Sequence, residues 1–240
     1  MPKEGIGIKT LQKKELAGII HNKKTSKEYE KALQEASRAV HELNDDQKRS
    51  VELMEEDFKK AQKLPTSFVT ELAEVSSQAT HAWEEAKRDN NFNALAPHLE
   101  KIIDLMRKKA DLLGYEEHPY NALVDEYEPY MTTKVLDQLF EPLGQELIEL
   151  TKQLKKKSAN DEFLYGSFNV DEQFELSKQI LHEMGLKREG SRIDPSAHPF
   201  CMPVHMRDLR MTTRAEPSSF FQCLSATMHE GGHGLYEQGL

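Results

Sequence analysis

The stretch Met228-His229-Glu230-Gly231-Gly232-His233-Gly234-Leu235-Tyr236-Glu237-Gln238-Gly239, close to the end of the sequence, decides how the chain is read. It contains the pattern His-Glu-x-x-His. On a helix, residues four apart lie on one face, one turn apart. His229 and His233 can therefore both offer imidazole nitrogens to one zinc ion, at about 2.0–2.1 Å. Glu230 is offset by one position, so it sits beside the metal, where a general base for an activated water belongs.

The flanks place this pattern inside a helix. Pro217-Ser218-Ser219 is a helix start, with either serine as cap. Phe220 or Phe221, Leu224, Met228 and Leu235 then recur at helical spacing and predict an apolar back. Three glycines, Gly231, Gly232 and Gly234, cost helix stability. Either the helix ends there or something approaches its backbone closely, a substrate or another helix. A catalytic zinc needs a third protein ligand. Glu237 is on the right face but a further turn along the axis, too far to share one tetrahedral ion easily. The third ligand is thus expected beyond Leu240.

The preceding segment changes character. Pro195, Pro199, Pro203 and Pro217 rule out a long helix between Ser191 and Pro217. Val204-His205-Met206 and Leu209-Arg210-Met211-Thr212 alternate as short strands do, which predicts a small β-hairpin leading into the zinc helix. Polar candidates for a cleft are His198, His205, Arg207, Asp208, Arg210, Thr212, Thr213 and Arg214. Asp208 and Arg210 point the same way on a strand and can pair.

The rest reads as helix after helix. Tyr29, Leu33, Ala36, Val40, Leu43, Val51, Met54 and Phe58 step by three and four through Glu28–Gln62, one long helix or two, with a slip at Asn44-Asp45-Asp46. Leu64-Pro65 is a break. Ser67–Asp89 and Phe92–Leu113 follow, the latter stopped by Gly114. Asp125, Glu126 and Glu128 read as a solvated turn. Met131-Thr132-Thr133 caps a helix to about Lys157, kinked or broken at Pro142. Ser158-Ala159-Asn160-Asp161 is a polar loop, and Val170–Gly185 is another helix. The fold class is therefore all-α with one small β element. It is expected as a single domain over 1–240: a helical scaffold over 1–157, a loop and ribbon over 158–217, and a zinc-binding helix over 218–240.

Composition narrows the function. A net charge of −9 without a basic patch argues against nucleic acid. No apolar run at the N-terminus suggests a signal peptide, and none of about 20 residues suggests a membrane span. Cys201 and Cys223 are read as reduced. A cytoplasmic protein is expected.

Three ordered motifs then carry a resemblance. His198-Pro199-Phe200, Asp208-Leu209-Arg210-Met211-Thr212-Thr213-Arg214 and the His229–Gly239 stretch resemble the HPF, DxRxTTR and HExxH signatures of the thermostable carboxypeptidase Taq family of zinc metallocarboxypeptidases. Leu64-Pro65, Glu71-Leu72, Trp83–Arg88, Asn91-Phe92, Pro119–Leu123 and Tyr127-Glu128-Pro129 fall in that family's order, so the likeness covers roughly residues 60–240. It implies a helical fold around a deep cleft and release of single residues from peptides with a free C-terminus. It implies His229 and His233 as metal ligands, Glu230 as catalytic acid/base and Zn2+ as cofactor, with Co2+ also suited to the donors. It places the third ligand, a Glu, on a later helix. His198, Asp208, Arg210, Thr212 and Arg214 become cleft or supporting residues. The family is longer, so the chain is expected to be an N-terminal part with little activity alone, and a homodimer when complete. Ala215 stands where the family usually has Tyr, and Met202–Arg207 lacks the Gly-rich character usual after HPF. The competing functions are a zinc endopeptidase of another HExxH class and an inactive helical interaction protein.

Overall fold

The computed structural model describes residues 5–157 and 160–239. Ser158 and Ala159, half of the expected polar loop, and Leu240 lie outside the described residues. The chain divides into two compact units, Met1–Ile148 and Glu149–Leu240.

The first unit is helical: α1 Ile6–Lys24, α2 Lys27–Arg38, α3 Asp45–Gln62, α4 Thr66–Arg88, α5 Phe92–Leu113, α6 Tyr120–Val124 and the start of α7, Thr133–Leu154. The stretch expected as one helix or two is two. A 3-10 turn at Val40–Glu42 separates them, and Asn44 starts α3 with a capping box. Its side chain accepts from the Gln47 amide at 2.9 Å, and the Gln47 side chain accepts from the Asn44 amide at 3.0 Å. Four contacts align α1 with α4. Thr10 meets Ser77, Lys14 pairs with Glu74, Thr70 lies against Gly18, and Thr66 donates to Asn22. As one residue number rises the other falls by about the same amount, so the two helices run antiparallel. Gly18 permits the close approach, because a Cβ there would sit 3.0 Å from a Thr70 methyl. Phe68, Ala79, Ala86, Leu105, Ala110 and Leu113 are buried, and Gly114 ends α5 at φ +78°.

One expectation in this unit needs correction and another is narrowed. Asp125 and Glu126 are not a merely solvated turn, since Asp125 pairs with Lys60 of α3 and Glu126 with Lys109 of α5. Pro142 does not break α7, which is helical through it. The missing amide only frees the Gln138 carbonyl, and both residues are exposed, so water can satisfy it.

The second unit sets α8, Val170–Glu183, and α9, Phe221–Gly239, around a small sheet. The expected hairpin is a sheet of three strands: β1 Ser191–Pro195, β2 Phe200–His205 and β3 Asp208–Thr213, in the order β1-β3-β2. β2 and β3 are the antiparallel pair, with an irregularity between Pro203 and His205. The unexpected strand, β1, pairs with β3 in parallel. Pro203 is tolerated because β2 is an edge strand. Leu209 and Met211 point inward and meet Leu181, Leu186 and Ile193 in one core.

Among the described residues, no helix is long and apolar enough to cross a membrane.

Candidate functional site

Of the apolar back expected from the sequence, Leu235 packs against the core and Phe220 against Phe168, but helix α9 is seated chiefly on small residues. Its buried face is Cys223, Thr227, Glu230, Gly231 and Gly234, while Phe221 and Met228 are each 50% exposed. The reason is close packing. A Cβ on Gly231 would fall 2.7 Å from a Leu181 methyl of α8, and one on Gly234 3.1 Å from a Leu186 methyl. Of the two readings of the glycines, the close approach holds: α9 continues through them and another helix lies against it. Buried hydroxyls tie the contact. Thr227 donates to the Ser177 hydroxyl at 2.9 Å, and Thr213 donates to the Cys223 carbonyl at 3.3 Å. The start of α9 follows Ser219, whose hydroxyl accepts from the Phe221 amide at 3.3 Å.

With that face held, the next one opens onto a cleft of about 360 Å³ between α9 and β2. His198, Pro199, Phe200, Cys201, Pro203, His229, Glu230, His233 and Glu237 line it. The Nε2 atoms of His229 and His233 lie 3.3 Å apart. Two nitrogens at 2.0–2.1 Å from one tetrahedral ion lie about 3.3–3.4 Å apart. The donor pair thus has the spacing that a shared zinc requires. The rings are nearly perpendicular, at 83°. Glu230 is 7% exposed yet reaches the cleft wall beside the two imidazoles. Among the described residues no group of three or more His, Cys, Asp or Glu side chains is placed to hold a metal ion. Glu237 lines the cleft without completing such a group.

The Ser196–Phe200 corner is fixed by Thr212. The Phe200 amide donates to Thr212 Oγ1 at 3.1 Å, and the Thr212 hydroxyl donates to the His198 carbonyl at 3.2 Å. Ser196 Oγ, 2.7 Å from Thr212 Oγ1, also donates to that carbonyl. Thr212 therefore supports the cleft from behind its wall. Asp208 and Arg210 pair through two hydrogen bonds of 3.1 and 2.9 Å. They lie on the sheet face opposite Leu209 and Met211, next to the Arg192–Asp194 pair. The Arg210 guanidinium holds the Asp208 carboxyl below its ordinary range, against a smaller opposing effect of burial. Neither Asp208 nor Arg210 lines the cleft, and nor does Arg214, which pairs with Glu216.

With Pro203, Cys201 is a cleft residue that the motifs did not single out. Burial pushes its thiol above the ordinary range, and Glu230 and Glu237 push it the same way. The alternation of β2 was the available signal: Cys201 sits opposite Met211, and Pro203 opposite Leu209, on the inward side of the sheet.

Comparison with known proteins fits this geometry. The whole of residues 1–240 matches the family model described as Carboxypeptidase Taq (M32) metallopeptidase. The chain belongs to that family, and the match extends through the N-terminal residues that the motif comparison left out. It is 34% identical to Carboxypeptidase 1 of Bacillus subtilis, over 100% of this chain and 48% of the relative. It is also 34% identical to Thermostable carboxypeptidase 1 of Pyrococcus furiosus, over 99% of this chain and 48% of that protein. Among solved structures, the crystal structure of a protein designated BsuCP superposes with a TM-score of 0.95, at 34% identity, over 99% of this chain and 48% of the other. The chain thus spans about half the length of the curated relatives it matches.

Proposed function

We propose that this chain is the N-terminal, metal-binding part of a zinc metallocarboxypeptidase, an enzyme that releases single amino acids from the free C-termini of peptides. The observation that supports this most is the 3.3 Å approach of the His229 and His233 nitrogens beside a nearly buried carboxylate, at the motif positions shared with the family. His229 and His233 would hold Zn2+; Co2+ suits the same donors. When bound, the ion supplies Lewis acidity, polarising the scissile carbonyl and lowering the pKa of a water.

The remaining steps belong to the chain's own residues. Glu230 accepts a proton from the attacking water and delivers it to the leaving amine. Its near-complete burial keeps that carboxylate in one place, which a proton relay needs. His198 lines the cleft across from α9, within the wall that Thr212 fixes, and orients the peptide. Cys201 and Pro203 give that wall a partly apolar surface that limits water. An exopeptidase must also recognise a free carboxylate, and Arg does so best through a bidentate contact. Among the described residues no Arg or Lys lines the cleft, and Arg210 and Arg214 are each engaged by an acid. Carboxylate recognition and the third metal ligand, a Glu by family likeness, are therefore assigned to polypeptide beyond these 240 residues.

The test compares two proteins. The chain with added zinc should release little or no amino acid. The chain joined to the unmatched part of Bacillus subtilis Carboxypeptidase 1 should trim peptides with a free C-terminus, spare amidated ones and stop in chelator. Robust release by the chain alone, or cleavage of amidated peptides at internal bonds, would contradict the proposal.

A further inference from the structure

The first unit holds a cavity of about 780 Å³ between α1, α3, the start of α4 and the turn after α6. That is roughly twice the volume of the metal cleft and within the range of about 300–1,000 Å³ that small-molecule sites occupy. His21 of α1 lines it. This residue is 8% exposed, and its carbonyl accepts from the Thr25 hydroxyl. Among the described residues neither of its ring nitrogens has a hydrogen-bond partner. Buried polar side chains are normally satisfied, so an imidazole left open on a cavity wall is placed for a ligand.

The rest of the wall fixes the class of that ligand. Ile20, Leu53, Met54, Leu64 and Val69 make much of it apolar. Four carboxylates, Glu56, Asp57, Asp125 and Glu126, share it with two ammoniums, Lys24 and Lys60. Three of the acids are answered, Asp57 by Lys24, Asp125 by Lys60 and Glu126 by Lys109. Glu56 forms no ion pair among the described residues and accepts from the Tyr130 hydroxyl at 2.6 Å. An anionic ligand would meet this excess of negative charge and be repelled. A ligand ammonium would meet one carboxylate short of a cation and one imidazole short of a donor. The turn that closes the wall is held in advance. The Tyr130 amide donates to Asp125 Oδ1 at 2.8 Å, and Tyr130 keeps a φ of +69°, a strained value for a bulky residue that such anchors maintain.

We propose that this cavity binds a small primary amine with an apolar tail, its ammonium held by Glu56 and the His21 imidazole and its tail packed on Leu53, Met54, Leu64 and Val69. The site lies wholly within the first unit, apart from the metal cleft, and does not depend on the catalytic reading.

The experiment titrates the chain with phenethylamine in a calorimeter, in chelator so that no metal competes for the amine. Phenethylamine should bind about 10-fold or more tightly than phenethyl alcohol, and phenylacetate should not bind measurably. Glu56→Gln keeps the acceptor for Tyr130 but loses the charge, and should weaken the amine about 10-fold; His21→Leu removes the imidazole and should do the same. Ala17→Phe puts a ring into the cavity from α1 and should abolish binding. Amide chemical shifts should move at residues 17–24 and 53–61. Equal binding of amine and alcohol would overturn the proposal, as would binding that survives Ala17→Phe or shifts confined to α9. Glu56→Gln disturbs the fold least, and unweakened binding in that variant overturns it alone. Loss of binding when the chain is fused to the unmatched part of Bacillus subtilis Carboxypeptidase 1 would also overturn it, by showing that further polypeptide fills the cavity.

Discussion

Replacing Gly231 with Ala should cost stability that replacing its neighbour Gly232 should add. Both residues lie in the interior of α9, so each Gly→Ala change gains about 0.5–1 kcal/mol of helix propensity. At Gly232 nothing lies within 4 Å of the new methyl, and the gain stands alone. At Gly231 the methyl would fall 2.7 Å from Leu181 Cδ2, 2.9 Å from Met184 Cε and 3.2 Å from Met184 Sδ, well inside the optimum of about 3.5–4.0 Å. The Met184 side chain is flexible and gives way. Leu181 is 5% exposed and held by Leu186, Ile193, Leu209 and Met211, so it cannot swing aside without opening the core. Overpacking of this kind costs about 1–3 kcal/mol. Gly231→Ala should therefore range from neutral to about 2 kcal/mol destabilising, and trail Gly232→Ala by about 1–3 kcal/mol. Urea unfolding followed by far-ultraviolet circular dichroism measures the gap, with hydrogen exchange on α8 to locate it. Fluorescence of the single tryptophan would not serve, because Trp83 lies in α4 of the first unit. Equal stability of the two variants, or a more stable Gly231→Ala, would refute the claim that α9 is seated by close contact at its glycines.

Other parts of the account are open to test. Thr212→Val should free the Phe200 amide and leave the His198 carbonyl with Ser196 as its donor, costing about 1–3 kcal/mol. Faster exchange at Phe200 reports it, and unchanged exchange would remove Thr212 from its supporting role. Asp125→Asn should lower stability at neutral pH and flatten the acid limb of the stability profile. The Lys60 ammonium chiefly, then the Tyr130 amide, hold the Asp125 carboxyl below its ordinary value of 3.8, against burial. A depressed folded-state pKa contributes stability that is present above the unfolded value and lost as pH falls through it toward the folded one. A wild-type profile no steeper than the variant's below pH 4 would contradict this.

Local signals were legible where a short motif has a short-range cause. The slip at Asn44 is a capping box, Gly114 and Gly185 stop helices at positive φ, and the metal motif puts two imidazoles one turn apart. What was missed depends on distant partners. β1 ends in Pro195 and is a strand only because β3 lies beside it. The buried face of α9 is built largely from Cys, Thr and Gly because α8 comes close, so ranking its residues by hydrophobicity found Leu235 but put Phe221 and Met228 on the wrong side. Asp125 and Glu126 look solvated until α3 and α5 supply their lysines. Asp208 and Arg210 pair as their alternation suggested, but which face of the sheet meets the cleft was set by Leu209 and Met211 turning to the core. Cys201 reaches the cleft through that same alternation.

A zinc titration by calorimetry bears most directly on the paired imidazoles. The chain should bind zinc weakly at a single site, lose it in His229→Ala and in His233→Ala, and keep it in Glu230→Gln. Binding indifferent to either histidine, or abolished in Glu230→Gln, would contradict the assignment of two ligands and a free base.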